Sequence, residues 1–278
     1  MPEKLVYKKW FKVLIVCIMF LPLVTETGYD PQNTTKVIAE VLKNPFINQV
    51  RWVLPIAKAI LLFAAVSPFV LKWHSEKPLL GLYAALLLVM GIFQNMAQTQ
   101  HGFTFIPGNF VAQYLVMGFC MYDLIKGKTR LSKEDFDKTK LWILPLMLLA
   151  FLMPYTIDDS WIIVPSLKNI LVNEAGVTYC MVTPVVTGVL ILFHKSVHKP
   201  TLNIISFLGL GFGILNMMTW FIFDIQNWWM GVLHLPLLTV SIYGLWISGN
   251  SRQPGHISWH YEGTHRRHPA DRQRAEDG

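Results

Sequence analysis

The chain has 278 residues, of which 53% are hydrophobic and 15% charged, and its mean hydropathy is +0.40. Soluble domains carry about 25% charged residues, so these proportions exclude an ordinary soluble fold, a disordered chain and a small disulfide scaffold. The net charge of +7 would suit a nucleic-acid partner, but the positions of the lysines along the chain explain it differently.

Eight apolar stretches follow one another: Trp10–Val24, Trp52–Leu71, Leu79–Ala97, Phe110–Ile125, Leu141–Tyr155, Ala175–Phe193, Leu202–Phe223 and Trp228–Ile247. A helix needs about 20 residues to cross the hydrocarbon layer, so the first, fourth and fifth must draw on flanking residues. Strand alternation is absent and backbone groups in lipid must bond internally, which predicts an all-α polytopic bundle of eight transmembrane helices. With a cytoplasmic N-terminus, the inner segments hold 14 Lys and Arg and the outer segments hold 4. That asymmetry satisfies the positive-inside rule with both ends cytoplasmic, and it makes nucleic acid an unnecessary partner. One alternative concerns the start. Lys4 to Lys12 followed by Val13–Val24 resembles a secretory leader, yet no small-x-small cleavage site follows in Leu23-Val24-Thr25-Glu26-Thr27.

The chain also repeats itself. A shift of 122 superimposes Lys77-Pro78 on Lys199-Pro200, Gly91-Ile92 on Gly213-Ile214 and Gln94 on Asn216, with 8 identities in 20 positions. This predicts a duplicated four-helix unit in parallel orientation, residues 1–130 and 131–250, followed by a polar, disordered cytoplasmic tail at 251–278. Parallel repeats of this kind place substrate sites at their interface in several transporter folds. Chance similarity between two leucine-rich helices is the plainer account.

Polar groups inside spans are costly and therefore informative. Gly91, Gln94, Gln98 and His101 recur at helical spacing on the third span. Gly209, Gly213, Asn216, Trp220 and Asp224 do so on the seventh, and Asn227, Gly231, His234 and Ser241 on the eighth. Lys58 lies about 10 Å below Trp52 at 1.5 Å per residue. If these faces converge, Gln94, Gln98, His101, Asn216, Asp224, His234 and Lys58 line a polar, ligand-binding pocket in the outer half of the bundle, with Glu174 and Gln113 at its rim. Each has a plainer reading: Gly209-x3-Gly213 as a packing seam, His234 as a helix-to-helix hydrogen bonder, Lys58 as a snorkelling side chain, Asp224 as part of an interfacial turn.

The segment around Thr35–Lys43 reads as an amphipathic interfacial helix able to cover that pocket. His194-x3-His198 sets two imidazoles one helical turn apart at the inner end of the sixth span. It lacks the glutamate of a zincin helix, so basic interfacial residues are the simpler account. Asp158-Asp159 and the tail histidines form no metal pattern, and Cys17, Cys120 and Cys180 are scattered packing residues.

The sequence thus points to a membrane protein of the cell membrane whose partners are the lipid bilayer and a small polar solute or cation. A small-solute transporter or permease is the leading function. No catalytic residue, cofactor or metal ion is indicated, and oligomeric state is left open. A membrane-embedded enzyme using His and Asp residues, or a noncatalytic sensor or assembly subunit, are the alternatives.

Overall fold

Each of the eight apolar stretches carries a helix in the computed structural model, which describes residues 2–50, 52–71, 76–157, 163–168 and 170–250. The helices are α1 (Pro2–Leu5), α2 (Lys9–Met19), α3 (Thr34–Lys43), α4 (Val53–Val70), α5 (Glu76–Phe93), α6 (Pro107–Lys126), α7 (Leu144–Leu152), α8 (Tyr179–Leu192), α9 (Lys199–Met218) and α10 (Trp228–Asn250). Among the described residues, four helical segments are long and apolar enough to cross a membrane: Val53–Val70, Glu76–Phe93, Lys199–Phe223 and Ile225–Gly249. Large apolar side chains such as Trp10, Phe63, Val70, Ile125, Ile222 and Trp246 are exposed around the bundle. A soluble monomer seldom presents so much apolar surface, because water around it is unfavourable.

Helix α8 sits at the centre. It packs against α4, α5, α7, α9 and α10, and every one of its residues except Cys180 is buried. A helix apolar all round is what such a position demands. Pairs α5–α6 and α9–α10 each form an antiparallel hairpin, and α2 packs outside α6. Small residues set the close contacts. A Cβ on Gly209 would lie 2.3 Å from the Ser241 hydroxyl, and one on Gly244 would lie 2.2 Å from that of Ser206. Gly209-x3-Gly213 is therefore a seam of α9 against α10, as small residues in membrane helices commonly are.

Three expectations are corrected. The third apolar stretch is not helical to its end. Helix α5 stops at Phe93 because the Asn95 side chain turns back and donates to the carbonyls of Met90 and Gly91 at 3.3 and 2.9 Å. Beyond it, β2 (Met96–Thr99) and β3 (Gly102–Phe105) form a hairpin, with Gly102 at φ +76° in its turn, and β1 (Val24–Thr25) adds to β3. A second small sheet pairs β4 (Tyr155–Ile157) with β5 (Ile163–Pro165). Strands are thus present, confined to connections between helices. Second, the seventh stretch ends in a π-helical turn at Thr219–Phe223, so Asp224 leaves the α-helical face assigned to it. Third, α8 ends at Leu192, and the chain turns before His198, so His194 and His198 do not share a helix.

Proline is placed as its chemistry dictates. Pro145 opens α7, where a missing N–H leaves nothing unbonded, whereas Pro68, Pro184 and Pro236 lie within α4, α8 and α10.

Candidate functional site

A cavity of about 160 Å³ lies where α5, α8, α9 and α10 meet at the hairpin end of the bundle. Its polar wall is made by Gln94, Glu174, Asn216, Trp220 and His234, and its roof by α3. Helix α3 has two apolar faces. Val37 and Val41 are buried against Leu23, Ala97 and Ile106 of the hairpin region, while Ile38 and Leu42 face the cavity. Glu40 ties this roof down by accepting a hydrogen bond from the Gln100 backbone N–H at 2.9 Å.

Each of three polar side chains commits one end to the backbone. Gln94 follows the last turn of α5, and its Oε1 accepts from the Tyr179 N–H at 3.1 Å, satisfying a donor at the start of α8. Asn216 donates from Nδ2 to the Phe212 carbonyl at 2.8 Å and to Cys180 Sγ at 3.3 Å. His234 Nδ1 lies 2.8 Å from the Met230 carbonyl. A carbonyl can only accept, so Nδ1 carries the hydrogen and Nε2 of the neutral ring is an acceptor. The opposite ends, the Gln94 amide N–H₂, the Asn216 carbonyl and His234 Nε2, have no partner among the described residues. These free ends put one donor group and two acceptors on the wall, beside the Glu174 carboxylate and the Trp220 indole N–H.

The remaining predicted residues lie elsewhere. Gln98 stands on β2 and is exposed; His101 sits in the hairpin turn, 6.1 Å from the Tyr29 ring. Both were assigned to a helical face that the hairpin replaces. Asp224 accepts from Asn227 Nδ2 at 3.1 and 3.0 Å, closing the turn between α9 and α10, and does not line the cavity. Lys58 is only 2% exposed and neither snorkels nor lines the cavity. Its ammonium donates to the Leu152 carbonyl at 3.3 Å and to the Ile170 carbonyl, and lies over the Phe151 ring at 5.2 Å. Asn173 Nδ2 adds bonds to the Leu152 and Met153 carbonyls at 3.1 and 2.6 Å. A cation and an amide thus cap the C-terminus of α7, where Met153 adopts φ 45° and the helix leaves its last carbonyls unbonded. Glu174, on the cavity wall, is the acidic group whose charge acts on Lys58. Gln113 is buried in α6 and is not part of the cavity wall.

The opposite end holds a second polar cluster. Asp123, 1% exposed, accepts from the Thr129 N–H and hydroxyl at 2.7 and 2.6 Å, and His198 Nδ1 lies 3.8 Å from it. The oxygen Glu3 Oε1 gathers Tyr122 OH at 3.2 Å, Lys128 Nζ at 3.4 Å and His198 Nε2 at 3.4 Å. Burial pushes the Glu3 carboxyl up, but Lys128, His198 and the Tyr122 hydroxyl outweigh it and hold the group below its usual range. Burial also holds the His198 imidazole below its usual range, partly offset by Asp123 and Glu3. In both cases the folded value is depressed, so the unfolded chain binds more protons as the medium is acidified. Stability should therefore fall in two steps, the first beginning below the ordinary imidazole value of 6.5 and the second below the ordinary carboxyl value of 4.5. Thermal unfolding midpoints measured against pH in detergent check this; His198→Gln should shrink the upper step, with His194, whose imidazole burial and Lys199 also hold below its usual range, supplying the remainder.

Among the described residues no group of three or more His, Cys, Asp or Glu side chains is arranged to hold a metal ion. His74, Asp158, Asp159 and the tail lie outside the described residues. Compared with protein families, curated proteins and solved structures, the chain matches none.

Sequence reasoning missed Tyr155 and Thr178 on the cavity wall and Asn173 behind it. The sixth stretch was read as one helix from Ala175, whereas Asn173 Oδ1 accepts from the Ala175 N–H at 3.2 Å and starts a 3-10 turn over Glu174–Val177 before α8 begins. The Asn-Glu pair ahead of an apolar run was the available signal for that break. Asp123 was missed because one carboxylate at a helix end has no local pattern; its partners are Thr129 and, 75 residues on, His198.

Proposed function

We propose that the chain is a multi-pass permease of the cell membrane for small neutral solutes, built of eight transmembrane helices with both ends cytoplasmic. The observation that carries this reading is the chamber whose wall directs an amide donor and two acceptors inward from backbone-anchored side chains. A cavity of about 150 Å³ holds a benzene-sized molecule, so the solute has at most about six to eight heavy atoms. The lining is largely apolar and its two charged residues, Glu174 and Lys43, are of opposite sign, which favours a neutral molecule over a bare ion, since an ion would need a net opposite charge on leaving water.

The duplication of residues 1–130 and 131–250 gains support from position. Lys77-Pro78 and Lys199-Pro200 each fall in the first turn of a long helix, and the paired amides Gln94 and Asn216 line the same chamber. Parallel repeats that contribute equivalent polar groups to a shared site are a transporter arrangement. Helix α3, held to the hairpin by Glu40, then acts as a lid. An enzymatic reading has less behind it, because His234 leans on a backbone carbonyl and no carboxylate among the described residues orients it.

Uptake of small neutral solutes (urea, acetamide and glycerol among them) into proteoliposomes tests the proposal. Asn216→Leu and His234→Phe should each lower uptake by about three- to tenfold, the worth of one hydrogen bond. Transport that survives both substitutions, or that is abolished by Asp224→Asn instead, would show that the solute path runs outside this chamber.

A further inference from the structure

A groove of about 930 Å³ opens at the end of the bundle opposite the solute chamber, between α1, the α6–α7 connection and the turn joining α8 to α9. Four lysines, Lys4, Lys128, Lys195 and Lys199, share its walls with His194 and His198. Lys4 and Lys195 are exposed and have no carboxylate within ion-pair distance among the described residues. Against these cations stands Glu3, and the groove floor aims three donors from α6, its following loop and the α8–α9 turn at the single oxygen Glu3 Oε1. The charge of Asp123, below, is already met by the two bonds from Thr129. A positive-inside bias alone scatters exposed lysines along the cytoplasmic surface. Here donors converge on one anionic oxygen, which is the geometry of an anion site occupied by a side chain of the same molecule.

We infer that this groove binds a phosphate group, with the Glu3 carboxylate as its intramolecular occupant. A phosphate brings three acceptor oxygens and up to two negative charges where Glu3 brings one. It can therefore use Lys4 and Lys195, which a carboxylate on a four-residue helix leaves uncompensated. The phosphate belongs either to a soluble phosphorylated compound or to the headgroup of an anionic phospholipid; the recognising chemistry is shared.

The test uses the full chain in phosphatidylcholine nanodiscs and reads the thermal unfolding midpoint. In one arm inorganic phosphate replaces chloride at constant ionic strength. In the other, phosphatidic acid replaces part of the lipid. A saturable rise in the first arm supports a soluble phosphate compound, and a rise confined to the second supports a lipid headgroup. In either arm Lys4→Gln with Lys195→Gln should weaken the apparent affinity by about tenfold or more, since each cation near a charged surface counts substantially. Glu3→Gln should strengthen it by removing the competing carboxylate. Both lysines bear on no structural hydrogen bond among the described residues, so the double variant is expected to keep the wild-type midpoint without ligand. No rise in either arm, or a rise that the double substitution leaves intact, overturns the inference. The uptake experiment on the solute chamber is unaffected by that outcome.

Discussion

Replacing Lys58 with methionine is expected to destabilise the protein by about 3–5 kcal/mol, the usual consequence of removing one member of a buried charged arrangement. Methionine matches the lysine stem and fills the same apolar space, so the loss isolates the ammonium. The Ile170 carbonyl loses its side-chain donor and the Leu152 carbonyl keeps only Asn173. Glu174 loses the positive charge that acts on it. The C-terminus of α7 retains Asn173 alone as its side-chain cap. Unfolding in detergent, followed by circular dichroism, gives the magnitude. Combining Lys58→Met with Glu174→Gln should recover part of the loss, because the second substitution removes the stranded opposite charge. A single-variant loss below about 1 kcal/mol, typical of an exposed ion pair, would mean that this tie is dispensable.

Two glycines should respond nearly as strongly, and a third in the opposite sense. A Cβ at position 176 would lie 2.6 Å from the Lys58 backbone nitrogen and 3.0 Å from the Ala57 carbonyl carbon. At position 108 it would lie 2.6 and 2.8 Å from the carbonyl oxygens of Met19 and Ile18, at the end of α2. Backbone atoms cannot rotate out of the way as a side chain can, so Gly176→Ala and Gly108→Ala should each cost about 1–3 kcal/mol. Gly118, within α6, has nothing within 4 Å of its added Cβ. Gly118→Ala should therefore stabilise the protein by about 0.5–1 kcal/mol through helix propensity alone. Unfolding midpoints of the three variants measured side by side check the opposite signs. Gly176→Ala carries an added consequence, since Glu174 and Thr178 beside it line the cavity.

Apolar periodicity over long segments made the helices legible: each of the eight stretches contains one, and the polar positions Gln94, Asn216 and His234 meet at one chamber. What was not legible lies where short-range bonds end a helix before its apolar run ends. Asn95 terminates α5 by bonding back to Met90 and Gly91, which carries Gln98 and His101 into a hairpin. The π-helical turn at Thr219–Phe223 similarly releases Asp224. Periodicity assumes that a face continues as long as the residues stay apolar, and it has no access to either event. Lys58 illustrates a different limit. Its depth was readable, but its partners are carbonyls on segments 94 and 112 residues away, and nothing in the local sequence specifies them.

The central position of α8 has a geometric outcome for the membrane. Its 14 residues span only about 21 Å at 1.5 Å per residue, against roughly 30 Å for the hydrocarbon layer. The helices beside it, α4, α5, α9 and α10, run to 18–23 residues. The cavity lies at the first residues of α8, and the lysine-lined groove begins just past its last. Between the cavity and the groove the packed core along α8 is therefore shallower than a bilayer's hydrocarbon layer, and a solute following the proposed path would cross correspondingly less packed protein.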